Sequence, residues 1–200
     1  MGKNWVFCKL RAELDEAITY YTKEKAVKIA KAGLKDSLDK GARGEIEYFK
    51  GQLEILKGNF AAAIEHFDLA IKYNPRDGAS YNDRALCMVE LGAIDGVLYY
   101  FDKGIEVEPD YATIYHNKGW LLNNIGHYRK ALECFRKALE LEPDRPVTYD
   151  NLADALYNLC DYKGALEAYQ MVLELLKPGS ARGIRGQIKE KIKYLKKKVK

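Results

Sequence analysis

Residues 112–145 read ATIYHNKGWLLNNIGHYRKALECFRKALELEPDR, and the spacing of their small, aromatic and turn-forming residues decides the fold. Gly126 has counterparts at 34-residue intervals, namely Gly58, Gly92 and Cys160. Five residues beyond each comes Ala63, Val97, Ala131 or Ala165, and four further on an aromatic, Phe67, Phe101, Phe135 or Tyr169. Three more residues bring Ala70, Gly104, Ala138 or Val172, and the unit closes on Pro75, Pro109, Pro143 and, one residue late, Pro178. Upstream of the turn, Gly51, Ala85, Gly119 and Ala153 keep the same beat, preceded in three units by Tyr81, Tyr115 and Tyr149. A period of this length means stacked units, each burying its apolar face on the next, in place of one globular core.

Intervals of three, four and seven are helical, so each unit reads as two amphipathic helices joined at the glycine and closed by the proline. Small residues let two helix backbones approach, and the aromatics fill the space beside them. The glycine takes a positive φ at the turn at little cost. Proline has no N–H to continue a helix and marks the boundary between units.

Tyrosine, small residue, glycine, alanine, aromatic, alanine and proline at this spacing closely resemble the tetratricopeptide repeat (TPR) over residues 44–178. The resemblance implies an all-α fold, a right-handed α-solenoid of antiparallel helix pairs with a C-terminal capping helix. Repeats are expected at 44–77, 78–111, 112–145 and 146–179, after a degenerate helical pair in 1–43 and before a basic amphipathic cap in 180–200. The first repeat departs from the pattern at Glu47 and Glu54, and the fourth at Cys160. The second carries Val97 and Gly104 where alanine is usual, so its second helix is expected to be the least stable, interior Gly costing roughly 1 kcal/mol relative to Ala.

The ends follow the same logic in weaker form. Ala26, Val27, Ala30, Gly33 and Leu34 imitate Ala63, Ile64, Phe67, Ala70 and Ile71 if three residues are inserted near Gly41, with Leu10, Leu14, Ala17 and Ile18 on the partner helix. At the other end Ile184, Ile188, Ile192, Leu195 and Val199 form an apolar stripe on a lysine-rich helix. From Lys177 to Lys200 there are ten Lys or Arg against one acid, so the excess of +4 over the whole chain belongs to the tail. This helix reads as a cap, or as a surface for nucleic acid or an anionic membrane with the repeats as a spacer. Packing outweighs surface charge, since each buried aliphatic contributes up to about 1.5–3 kcal/mol against about 1 kcal/mol per lysine at a membrane.

Composition limits the remaining classes. Forty-eight per cent hydrophobic residues in 200 suffice for a core, and no apolar run approaches a membrane span. No signal-peptide pattern opens the sequence, and Met1-Gly2 lacks the downstream hydroxyl of a myristoylation signal. Cys8, Cys87, Cys134 and Cys160 have no metal-ligand spacing and read as small buried hydrophobes in a reducing, cytoplasmic setting. There is no nucleophile motif, phosphate loop, cofactor motif or metal-ligand set, and His66, His116 and His127 stand singly. No catalysis, cofactor or metal is expected.

In the TPR family the first helix of each pair lines a peptide groove, and register carries that property to particular residues here. The first repeat offers Tyr48, Phe49, Gln52 and Ile55, and the second Asn82, Asp83, Leu86 and Glu90. The third offers His116, Asn117, Trp120 and Asn124, and the fourth Asp150, Asn151, Asp154, Tyr157 and Asn158. An Asn amide both donates and accepts, so Asn117 and Asn151 suit a peptide backbone, with Trp120 and Tyr157 as aromatic anchors. Family members that clamp a C-terminal carboxylate use Lys and Arg in the groove. The corresponding sites here are Tyr48, Gln52, Asp83, Thr113 and Asn117, so a neutral or basic peptide of a partner protein is expected. Self-association through the repeat faces is the further alternative.

Overall fold

The structure, a computed structural model, describes residues 5–176 and 182–199, so the late Pro178 lies outside it. Among the described residues there are eleven helices and no strand. They are α1 (Trp5–Tyr20), α2 (Lys23–Asp39), α3 (Arg43–Lys57), α4 (Phe60–Tyr73), α5 (Gly78–Glu90), α6 (Val97–Val107), α7 (Ala112–Asn124), α8 (Tyr128–Leu141), α9 (Pro146–Asn158), α10 (Tyr162–Leu175) and α11 (Arg182–Lys198). The chain divides into two compact units, Met1–Glu108 with α1 to α6 and Pro109–Lys200 with α7 to α11. Within each unit every helix packs on its neighbour in sequence.

The repeated glycines act at the turns as their spacing predicts. Gly58, Gly92 and Gly126 have φ of 85°, 76° and 82°, and Cys160 adopts the same left-handed conformation at 62°. In each case the next N–H bonds back over the turn: Asn59 to Glu54, Ala93 to Met88, His127 to Leu122 and Asp161 to Leu156, all at 2.8–3.0 Å. These are the terminal carbonyls that a helix otherwise leaves unpaired. Pro146 opens α9 at a position where its missing N–H is not needed.

The pairs close by an aromatic lying on a small residue. A β-carbon at Gly51 would lie 2.8 Å from the Phe67 ring, and one at Gly119 2.7 Å from Phe135. Phe67, Phe101, Phe135 and Tyr169 are all buried, as are Ala63, Val97, Ala131 and Ala165. The second repeat differs from the others. Register places the start of its second helix at Ile94, yet α6 begins at Val97, is 11 residues long, and follows Gly96 at φ 80°. Asp95-Gly96 stands where the other repeats continue the first turn, and Ile94 is left exposed.

The ends correct some sequence expectations. In α1, Leu14 and Ala17 are buried together with Phe7, but Ile18 is exposed. In α11 only the middle of the stripe docks: Ile188, Ile192 and Leu195 are buried, whereas Ile184 and Val199 at the two ends are exposed. Of the cysteines, Cys87 alone is fully buried, its thiol pushed up to about 12 by burial; Cys8 and Cys160 are exposed. The acids that break the pattern in the first repeat have local partners. Glu47 accepts from Lys50 at 2.8 Å and meets His66 Nδ1 at 2.7 Å, and Glu54 accepts from Lys57 at 2.6 Å and Asn59 at 2.8 Å.

Candidate functional site

In the first unit the face expected to meet a ligand is largely engaged by the protein itself. Tyr48, Gln52 and Asn82 are buried, none more than 3% exposed, and so is Phe49. Arg11 of α1 lies with its guanidinium carbon 3.6 Å from the centre of the Tyr48 ring. It donates to both carboxylate oxygens of Asp77, at 2.7 and 2.9 Å, and to Glu45 at 3.0 Å. Burial alone pushes the Asp77 carboxyl up, but the Arg11 charge and hydrogen bonds, with Ser80 donating at 2.6 Å, hold it below its ordinary value. Glu45 goes the other way, since burial outweighs its share of Arg11.

Asp83 accepts from Gln52 at 2.5 Å and from Asn82 at 2.8 Å. Burial and the neighbouring Asp15 charge nevertheless push its carboxyl up to about 7. Leu86 is half-buried and Glu90 exposed. The Arg11 cluster was not among the candidate residues. Its signal was present, because Arg11 precedes Tyr48 by 37 residues, the same offset that relates Ala26 to Ala63.

The second unit leaves more of its face open. His116 is 8% exposed; its Nδ1 is 3.0 Å from Thr148 Oγ1 and its Nε2 3.5 Å from Asn151 Nδ2. Burial, with the Arg145 charge behind it, lowers the imidazole to about 4, so the ring is neutral at pH 7. Proton on Nδ1, donated to Thr148, leaves Nε2 to accept from Asn151. Asn117, Trp120 and Asn151 are half-buried, and Asn124, Tyr157 and Asn158 are exposed.

Helix α11 reaches the remaining candidates. Lys191 donates to Asp154 at 3.0 Å and to Asp150 at 3.5 Å, and Tyr169 also donates its hydroxyl to Asp154. Burial still raises the Asp150 carboxyl, with Lys191 opposing. The Tyr157 ring lies 6.4 Å from Tyr194 and 5.6 Å from Tyr162. Between α9, α10 and α11 is a cavity of about 350 Å³ walled by Tyr157, Tyr169, Tyr194 and Leu195, with Asp154, Glu190 and Lys191 at its polar side.

Comparison with known proteins places these helix pairs in a family. A tetratricopeptide repeat model matches residues 48–111, and another matches residues 112–145. The chain belongs to the tetratricopeptide repeat family. As a TPR protein it is an α-solenoid repeat scaffold for protein interaction. Among solved structures, TTC0263, a thermophilic TPR protein of Thermus thermophilus, superposes with a TM-score of 0.71 at 20% identity over 94% of this chain and 95% of its own. YrrB, described as a TPR protein with an unusual peptide-binding site, gives 0.58 at 20% identity over 87% and 85%. The first TPR of Spaghetti (RPAP3), bound to the HSP90 peptide SRMEEVD, gives 0.57 at 17% identity over 60% and 94%. At these identities the likeness is one of fold. No curated protein matches the sequence. Among the described residues, no helix is long and apolar enough to cross a membrane.

Proposed function

We propose that this TPR scaffold holds a neutral peptide segment of a partner protein on the first-helix face of the second unit. The observation that carries this reading is the pair Asn117 and Asn151, one on α7 and one on α9 at the same repeat position, both half-exposed. The Asn151 amide nitrogen is directed at neutral His116, which turns its carbonyl oxygen to the remaining side, where it suits a peptide N–H. Trp120 lies one turn beyond Asn117 on the same helix and supplies an aromatic contact.

The acids of this unit select only weakly for a basic peptide, because Lys191 pairs with both Asp150 and Asp154 and offsets one of their two charges. A few hydrogen bonds at about 0.5–1.5 kcal/mol each, plus one aromatic anchor, reach the ~8 kcal/mol of micromolar, exchangeable binding. The test is selection of a neutral decapeptide from a displayed library on the intact protein, followed by calorimetric titration against wild type and Asn117→Ala/Asn151→Ala. A fall in affinity of about tenfold or more is expected. Unchanged affinity in a folded double variant removes this face from the function.

A further inference from the structure

The structure brings together cations that are far apart in the sequence. Lys191 meets Asp150 and Asp154, Tyr194 meets Tyr157, and Lys198 Nζ lies 5.9 Å from the Tyr162 ring and 5.8 Å from Tyr194. Rising numbers on α11 thus meet rising numbers on α9, so α11 runs parallel to α9 and its last turn ends beside the first turn of α10. That is the edge of the second unit on which the Gly126 and Cys160 turns lie. The first turns of α8 and α10 open there, with Arg129 and Lys130 on one and Lys163 on the other, joined by Lys196, Lys197 and Lys198 of α11.

All six residues are exposed, and none has an ion-pair partner among the described residues. Asp161 is engaged in capping α10 through the Gly164 N–H at 2.9 Å, and Glu133 lies a turn further along α8. The charge of the two units follows suit. Residues 109–200 carry 17 Lys or Arg against 11 acids, and residues 1–108 carry 16 against 18.

We propose that this turn edge of the second unit binds single-stranded nucleic acid. The six cations and the positive end of α8, which no side chain caps, receive phosphates. Tyr157 and Tyr194, 38% and 47% exposed beside them, offer ring faces on which bases stack, at the mouth of the cavity of about 350 Å³. A bilayer fits less well, because the middle of the α11 apolar stripe is already buried against the repeats and is not free to insert. Two exposed tyrosines beside the cations favour bases, which stack on rings, over an acidic peptide, for which the cations alone suffice. The proposal does not depend on the Asn117 and Asn151 face.

Fluorescence anisotropy of a labelled twelve-nucleotide oligothymidylate, titrated with the full chain from 50 to 200 mM salt, tests it. Saturable binding that weakens steeply with salt is expected. Arg129→Gln/Lys130→Gln/Lys163→Gln leaves α11 intact and is expected to lower affinity about tenfold or more and make the log–log salt slope shallower by about two. Tyr157→Leu/Tyr194→Leu is expected to cost about tenfold in affinity with the slope unchanged. Three outcomes overturn the proposal: no binding at 50 mM salt, binding that neither folded variant changes, or equal binding of polyglutamate that ignores the tyrosine substitutions. Retention on phosphatidylserine vesicles without oligonucleotide binding would assign the surface to a membrane instead.

Discussion

A β-carbon at Gly33 would lie 2.3 Å from the ring of Phe49, which is wholly buried and packed against Tyr48 and Phe7. Sequence register equates Gly33 with Ala70, and helix propensity favours alanine by roughly 1 kcal/mol, but overpacking a filled core costs about 1–3 kcal/mol. Gly33→Ala is therefore expected to destabilise the protein by about 1–2 kcal/mol, read as a lower urea midpoint at unchanged m-value. Cys160 presents the opposite case. Its φ of 62° is strained for an L side chain, and its thiol is exposed, so Cys160→Gly is expected to raise stability by about 1 kcal/mol in the same measurement. His116 adds a pH dependence. Its imidazole titrates at about 4 when folded and near 6.5 when unfolded, so below pH 6.5 the unfolded chain binds the extra proton. The stability this residue contributes is complete above pH 6.5 and is lost as pH falls toward 4, on the order of 3 kcal/mol in all. His116→Gln, which keeps a donor and an acceptor, is expected to flatten that part of the urea midpoint profile between pH 4 and 6.5.

Helix α6 shows why element boundaries were less legible than elements. The 34-residue period announced a helix from its apolar and aromatic positions, Val97 and Phe101, both of which are buried. Its beginning depended on Asp95 and Gly96, and the left-handed Gly96 removes the first turn that the other repeats possess. A helix of 11 residues with buried Gly104 has fewer ways to resist opening than α4, α8 and α10, each 14 residues long. Native-state hydrogen exchange is expected to be faster in α6 than in α4, α8 and α10 by at least tenfold. Equal protection across the four would show that packing compensates for the missing turn. The turns themselves were legible because a positive φ leaves a compositional mark, and even Cys160 was placed correctly by its spacing. The candidate face was less so. Register identifies which residues stand on the first helix of a pair, but not which of them the protein covers. Tyr48 is covered by Arg11, and Asp150 and Asp154 are engaged by Lys191, both from helices outside the regular repeats.

At the scale of the molecule, α11 closes the second unit and supplies its net positive charge, so its removal tests both roles at once. Its buried Ile188, Ile192 and Leu195 contribute up to about 1.5–3 kcal/mol each, an upper bound because the unfolded chain also buries part of them. Loss of Lys191 leaves Asp150 and Asp154 with no compensating cation, and the Asp150 carboxyl is already raised by burial. Deleting residues 182–200 is therefore expected to lower the melting temperature of the second unit by about 10 °C or more, at some 2–4 °C per kcal/mol. Lys191→Met, which keeps the apolar packing, is expected to cause a smaller fall. The deletion also leaves 24 Lys or Arg against 28 acids, so the truncated chain is expected to be retained on an anion exchanger at neutral pH where the full chain passes through. If it melted at the temperature of the full chain, the buried stripe would not be holding the last helix pair, and α11 would be an appendage held by the Lys191 contacts alone.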